Sequence, residues 1–283
     1  MLHKHWSNAV AAVSSIAVFL TLALPLLGAM PEASFEWPEG KRAAISLSFD
    51  DARLSQPDVG LAVLDKVGVK ATFFVSPANV EKRLEGWKKI VASGHEIANH
   101  SLTHPCSGNF LFSRGNALED YTLEKMAKEL DGGNAEIERL LGVKAKTFAY
   151  PCGQKFVSRG RGVRSYVPLA AERFLVARGY LEEAANDPAY FDMAQATGIG
   201  FDGTEYAEML KYVSAAVAEG RWLIFVGHEI GSKGFQVTDA AALEALCRYA
   251  KDPANGIWID TVATIGTYIE QKRAKSAAPA PQD

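Results

Sequence analysis

The stretch Ala43-Ala44-Ile45-Ser46-Leu47-Ser48-Phe49-Asp50-Asp51-Ala52 decides how the rest of this chain is read. Residues 43–49 are apolar or small throughout, the pattern of a short strand buried on both faces, as strands of parallel sheets are. The run stops at two adjacent carboxylates. Such a pair can merely cap the next helix or close an Asx turn. It also stands at the carboxyl end of a strand, where βα folds gather their functional groups.

Downstream, apolar runs alternate with amphipathic stretches. The spacing predicts a helix over 57–67, a strand over 71–75, a helix over 80–92 ended at Gly94, and a strand over 96–99. A polar loop over 101–120 precedes a helix over 123–141, interrupted in composition by Gly132-Gly133, and a strand over 147–150. The Gly- and Arg-rich segment 152–168 reads as a second long loop, followed by a helix over 169–178 and a strand over 193–199. Then come a helix over 205–219, a strand over 222–226, a helix over 239–250, a strand over 257–259 and a last helix through Ile265 and Ile269. Repeated βα units imply an α/β fold with a parallel sheet or barrel. No internal repeat or second domain boundary is visible. One domain is expected over 41–273, after a linker over 31–40 and before a disordered tail over 274–283.

With 283 residues, 48% of them apolar and 22% charged, the chain can bury a large core. Its formal charge of -3 and pI near 6.1 exclude the basic field of a nucleic-acid binder. The N-terminus has Lys4 between His3 and His5, an uncharged apolar stretch over 9–27, then Gly28-Ala29-Met30-Pro31. Residues 1–30 therefore read as a signal peptide, or as an uncleaved membrane anchor, since the stretch matches the ~20 residues that cross a bilayer. Either way the folded part is expected outside the cytoplasm: secreted, periplasmic or on the cell surface. An oxidising compartment permits one disulfide, for which Cys106 and Cys152 are the candidates. Cys247 falls in a helical pattern as a small buried residue.

Three metal-competent clusters follow predicted strands: Asp50-Asp51, His100-Ser101-Leu102-Thr103-His104, and Gly227-His228-Glu229. Each has an ordinary reading, His228 above all, because a histidine ending a buried strand is usually a hydrogen-bonded structural residue. In a parallel fold, however, all three lie at the same edge. Two imidazoles and a carboxylate are a zinc ligand set that leaves positions open for water and substrate. Pro105 argues that the two histidines sit on a strand end and loop. No H-E-x-x-H helix is present, which disfavours a zinc protease.

The order Ser48-Phe49-Asp50-Asp51-Ala52, His100-x-x-x-His104, Phe148-Ala149-Tyr150-Pro151-Cys152-Gly153 and Ile224-Phe225-Val226-Gly227-His228 resembles the NodB-homology domain of polysaccharide deacetylases, carbohydrate esterase family four. The resemblance runs over about 41–270. It implies a distorted (β/α) barrel, a divalent metal, most simply zinc, and removal of acetyl groups from a glycan. By that resemblance Asp51, His100 and His104 hold the metal, Asp50 is the general base, and His228 is the acid that protonates the departing sugar amine. Cys152 would offer a backbone N–H to the oxyanion, with Tyr150 and Pro151 of the same motif beside the substrate. Two adjacent carboxylates can divide these roles when one is neutralised by a cation and the other stays free to take a proton.

The sequence also departs from the family pattern. Ala149 stands where an arginine orienting the base is expected, and Cys152 replaces an aromatic residue. Asp202, in Gly200-Phe201-Asp202-Gly203, is the candidate to tune His228. The loop containing Arg159, Arg161 and Arg164 reads as solvated. Phe156 and Tyr166 either stack on a sugar ring or, as is commoner for such residues, pack beneath the loop, and Trp87, Trp222 and Trp258 are expected to pack in the core. Two rival functions share most of these residues: an acetyl-ester esterase, and a carbohydrate-binding relative that lost turnover with the missing arginine. No membrane contact is expected beyond residues 1–30.

Overall fold

β1 (Ala43–Asp50) is buried along its whole length and runs through the middle of the sheet. In the computed structural model, which describes residues 35–277, eleven further strands follow it: β2 (Thr72–Val75), β3 (Glu96–Asn99), β4 (Thr147–Ala149), β5 (Phe156–Val157), β6 (Arg164–Ser165), β7 (Val176–Arg178), β8 (Ile199–Gly200), β9 (Trp222–Gly227), β10 (Glu229–Gly231), β11 (Val237–Asp239) and β12 (Ile257–Ile259). The helices are α1 (Leu61–Val67), α2 (Pro77–Glu81), α3 (Leu84–Ala92), α4 (Leu123–Leu141), α5 (Val167–Ala171), α6 (Tyr206–Glu219), α7 (Ala240–Lys251) and α8 (Val262–Ala277). The main sheet has eight strands in the order β7-β4-β3-β2-β1-β9-β8, with β12 also on β1. Every pairing in it is parallel. It curls into an open half-barrel, the α/β architecture expected.

Side chains alternate across β1 with the period of two that a strand imposes. Ile45, Leu47 and Phe49 face outward into a core with Leu64 of α1, Trp87 and Ile90 of α3, Ile137 of α4, Val213 of α6 and Leu243 of α7. Ala44, Ser46, Ser48 and Asp50 have the opposite parity. Ala44 packs with Phe74, Ala98, Ala149 and Ile224 in an inner cluster closed by Val262, Ile265 and Ile269 of α8. The inner serines are hydrogen-bonded: Ser46 Oγ accepts from Trp222 Nε1 at 3.1 Å and Ser48 Oγ donates to Phe225 O at 2.7 Å. Asp50 is thus carried to the inner face at the carboxyl edge.

The structure corrects several expectations. The helix read over 169–178 is the short α5 followed by β7, because Val176 and Ala177 are buried where β7 pairs with β4 in the register Thr147↔Val176 and Ala149↔Arg178. The helix read over 80–92 is split at Arg83, whose φ of -141° leaves the helical region, and the strand read over 193–199 shrinks to β8 after a turn at Met193–Gln195. α4 runs unbroken through its glycines, since Gly133 lies where a Cβ would come within 2.8 Å of Asn99 Oδ1. The glycine is there for close approach.

Residues 35–40, read as linker, belong to the folded body. Trp37 is buried, donates from Nε1 to Gly220 O at 3.0 Å and stacks on Tyr268 of α8. α8 extends to Ala277, into the segment read as a disordered tail. The signal peptide or anchor over 1–30 lies outside the described residues. Among the described residues, no helix is long and apolar enough to cross a membrane.

Candidate active site

Each cluster singled out in the sequence ends or follows a parallel strand, and all meet at the carboxyl edge of the half-barrel. Asp51 leaves β1 with φ 72°, a left-handed conformation costly for a residue with a side chain. Ala52, Ser101, His104 and Cys152 also have positive φ. Such strain concentrates at functional sites because the surroundings over-determine it. Here Asn79 Nδ2 donates to Asp51 O at 2.8 Å, and Gln56 Nε2 ties Asp50 O at 2.6 Å to His228 O at 2.9 Å. The turn after β3 is held by Asn99 Oδ1, which accepts from Ser101 N at 2.6 Å, and by Ser101 Oγ, which accepts from His104 N at 3.0 Å.

Asp51 Oδ1 lies 3.5 Å from His100 Nε2 and 3.3 Å from His104 Nε2. The three side chains offer one ligand atom each, all within 4.8 Å of one another. His100 Nδ1 is 2.9 Å from Ala149 O, which fixes the proton there and turns the Nε2 lone pair into the cluster. Burial, aided by the charge of His100, pushes His104 down to about 4 against the pull of Asp51 and Asp50, so its imidazole is neutral and a donor at neutral pH. Burial would raise Asp51, but the hydrogen bond and charge of His100 and the charges of His104 and Arg53 outweigh it and hold the carboxyl far below its usual range. Two imidazoles and one carboxylate converge here, a donor set that fits a divalent cation.

Arg53 was not singled out in the sequence. It donates to Asp51 Oδ2 from Nε at 3.1 Å and Nη2 at 2.8 Å, leaving Oδ1 to the histidines. Asp50 is nearly buried; its Oδ2 is 3.9 Å from His100 Nε2 and its Oδ1 accepts from Arg178 Nη2. Arg178 ends β7, where the sequence pattern predicts a helix, so the local pattern does not mark the buried cation. An arginine closing the apolar run Phe174-Leu175-Val176-Ala177 was its only signal.

His228 follows β9, and its Nδ1 is 2.6 Å from Asp202 Oδ2. Asp202 Oδ1 accepts from His228 N at 3.1 Å and from Thr238 Oγ1 at 2.9 Å. The pairing expected of Asp202 is therefore present. Gly227 permits it, since a Cβ there would meet Thr238 Oγ1 at 2.6 Å and Phe201 at 2.7 Å. Burial lowers the His228 pKa, yet the hydrogen bond to Asp202 and the charges of Asp50, Asp202 and Asp51 reverse it, so His228 holds a proton above its ordinary 6.5. The environments of His104 and His228 thus drive their pKa values in opposite directions.

Cys106 and Cys152 form a disulfide across 46 residues, joining the loops that follow the second and third motifs. Cys247 is free and buried, as expected. Tyr150 and Pro151 are buried, and the Tyr150 hydroxyl donates to Ala194 O at 2.8 Å, so these side chains pack the wall instead of facing substrate. Tyr166 packs under its loop and donates to Gln154 O at 2.5 Å, whereas Phe156 does not pack beneath the loop and is exposed on β5. Trp87 and Trp222 are fully buried.

The parallel half-barrel thus gathers a metal-competent His-His-Asp cluster, a second carboxylate and an aspartate-paired histidine at one edge. A sequence profile for the family described as polysaccharide deacetylase matches residues 38–163. The chain is 39% identical over 93 residues to an uncharacterized protein, YlxY, of Bacillus subtilis, across 33% of this chain and 26% of that protein. It is 45% identical over 64 residues to a chitooligosaccharide deacetylase of a Bradyrhizobium species, across 22% of this chain and 29% of that protein. These alignments span less than a third of either relative. The crystal structure of a putative polysaccharide deacetylase from Mycobacterium smegmatis shares the fold, with a TM-score of 0.61 at 20% identity, over 89% of this chain and 98% of that one. The family match thus covers residues 38–163, and the likeness of fold covers 89% of the chain.

Proposed function

We propose that the protein is an exported, metal-dependent hydrolase that removes acetyl groups from an N-acetylated poly- or oligosaccharide of the cell-wall or exopolysaccharide type. The observation that carries this reading is the convergence of three ligand atoms from Asp51, His100 and His104 on a site that also receives Asp50 and the Asp202-paired His228. A relative named as a chitooligosaccharide deacetylase supports the class of bond. Export is supported by the apolar N-terminal segment and by a disulfide, which persists in oxidising compartments.

In this reading Asp51, His100 and His104 hold the cation, with zinc the metal that suits them. A cation bound there supplies Lewis acidity to the acetyl carbonyl and to an attacking water. Asp50 takes the proton of that water. The carbonyl carbon becomes tetrahedral, and a backbone N–H in the turn at Cys152 is assigned to its oxyanion. His228 then delivers its proton to the sugar nitrogen, without which an amide anion is too poor a leaving group to depart. Asp202 keeps that proton on the ring.

The test is acetate release from N-acetylglucosamine oligomers by the chain lacking residues 1–30, with added zinc, beside Asp50→Asn and His104→Ala. Zinc-dependent release that disappears in both variants is the expected result. Zinc binding without acetate from any amide substrate overturns the proposal, and release from acetylxylan alone replaces it with an ester hydrolase.

A further inference from the structure

We infer that Arg178 is the positioning residue for the base Asp50, an assignment that rests on the deacetylase reading above. Arg178 is fully buried at the carboxyl end of β7. Its Nη2 donates to Asp50 Oδ1, its Nη1 donates to Gly179 O at 3.0 Å, and its guanidinium lies 4.5 Å from the centroid of the Phe74 ring. Taking a guanidinium out of water is costly, and an apolar side chain of similar size would fill such a place more cheaply. The cation is explained by what it does to Asp50.

A carboxylate on a short side chain rotates about its last bond unless one oxygen is held. Arg178 holds Oδ1. Oδ2 is left toward the ligand cluster, 3.9 Å from His100 Nε2. The backbone beneath Arg178 is pinned on both sides, since Tyr150 N donates to Arg178 O at 3.0 Å and Gly179 N donates to Ala196 O at 2.8 Å. One oxygen fixed by a rigid donor and one presented to the reacting water is the arrangement a base needs to act in a single geometry.

The strand register explains how an arginine reaches Asp50 from β7. Ala149 of β4 is the register partner of Arg178, and it packs with Phe74 in the inner cluster. Adjacent strands are only ~4.8 Å apart, so a guanidinium rooted at either position has nearly the same reach. The methyl group of Ala149 leaves the inner face open for a long side chain from the neighbouring strand. Positions 149 and 178 thus form an exchangeable pair, one small and one cationic, serving one carboxylate.

The experiment uses the full chain with zinc and four variants: Arg178→Ala, Arg178→Met, Arg178→Lys, and Arg178→Ala with Ala149→Arg. Zinc affinity, thermal midpoint, kcat and KM on N-acetylglucosamine oligomers are measured for each. Misaimed groups cost on the order of 100-fold in rate, so Arg178→Ala and Arg178→Met are expected to lose about that in kcat with zinc affinity and KM nearly unchanged. Arg178→Lys, a point charge without the planar fork, is expected to fall between. Moving the arginine to position 149 is expected to restore at least about tenfold of the loss, a result that a role confined to packing does not produce. If kcat is unchanged in every variant, or falls only in step with lost zinc or lost fold, the assignment is overturned while the deacetylase reading stands. A wild-type chain that releases no acetate overturns both.

Discussion

Replacing Asp202 with Asn keeps the shape of the side chain beside His228 and removes its charge. The carbonyl oxygen of Asn can still accept from His228 N and Thr238 Oγ1, as Asp202 Oδ1 does. The amide NH2 then faces Nδ1, where Oδ2 now sits at 2.6 Å, and a donor facing a donor disfavours the imidazolium. With the first counter-charge gone, burial dominates and the pKa of His228 moves down. The sign is fixed: the acid form exists below its pKa, so a lower pKa moves the alkaline limb of kcat/KM toward lower pH. A hydrogen bond to a charged group contributes about 1.5–3 kcal/mol, which corresponds to roughly 10- to 150-fold in kcat/KM on that limb. The assay is acetate release from a chitooligosaccharide across pH 5 to 10 at saturating zinc. An alkaline limb that stays in place, or a rate that falls equally at all pH, refutes the role given to His228 and Asp202.

Three further outcomes follow from the fold. Removing the Cys106–Cys152 bridge by Cys106→Ser with Cys152→Ser releases a 46-residue loop, which chain entropy values at about 4 kcal/mol, and frees His104, whose Nδ1 lies 3.8 Å from Cys106 Sγ. Calorimetry with and without a phosphine reductant is expected to show both a lower melting temperature and weaker zinc binding. Gly133→Ala, which in an exposed helix would add up to ~1 kcal/mol, is expected to cost about 1–3 kcal/mol here, because its Cβ would press on Asn99; urea unfolding reads the sign. Trp37→Ala is expected to cost roughly 3–5 kcal/mol by the same measurement, which would confirm that residues 35–40 belong to the domain.

How far the site could be read from the chain depended on how each residue is specified. Asp50, Asp51 and His228 were legible because they end or follow β1 and β9, long and wholly buried strands, and His100 and His104 because their spacing follows the short strand β3. Arg178 was not legible, because β7 is three residues long and its apolar run is as compatible with a helix end as with a strand. Arg53 was hidden for another reason, since an exposed-looking arginine two residues past the aspartate pair has no pattern until the turn folds it back onto Asp51.

Local sequence alone determined most of the element types, the alternation that makes the sheet parallel, and which short motifs carry metal-competent groups, since these depend on periodicity and on neighbours within a few residues. Tertiary structure decided how those motifs are completed. The pairing of Ala149 with Arg178 is a matter of register between strands 29 positions apart (178 minus 149), the closure of the half-barrel by Trp37 and α8 joins the two ends of the domain, and the opposite pKa directions of His104 and His228 come from burial and from charges supplied by other strands. None of these is a property of a segment; each exists only once distant strands lie side by side in a low-dielectric interior.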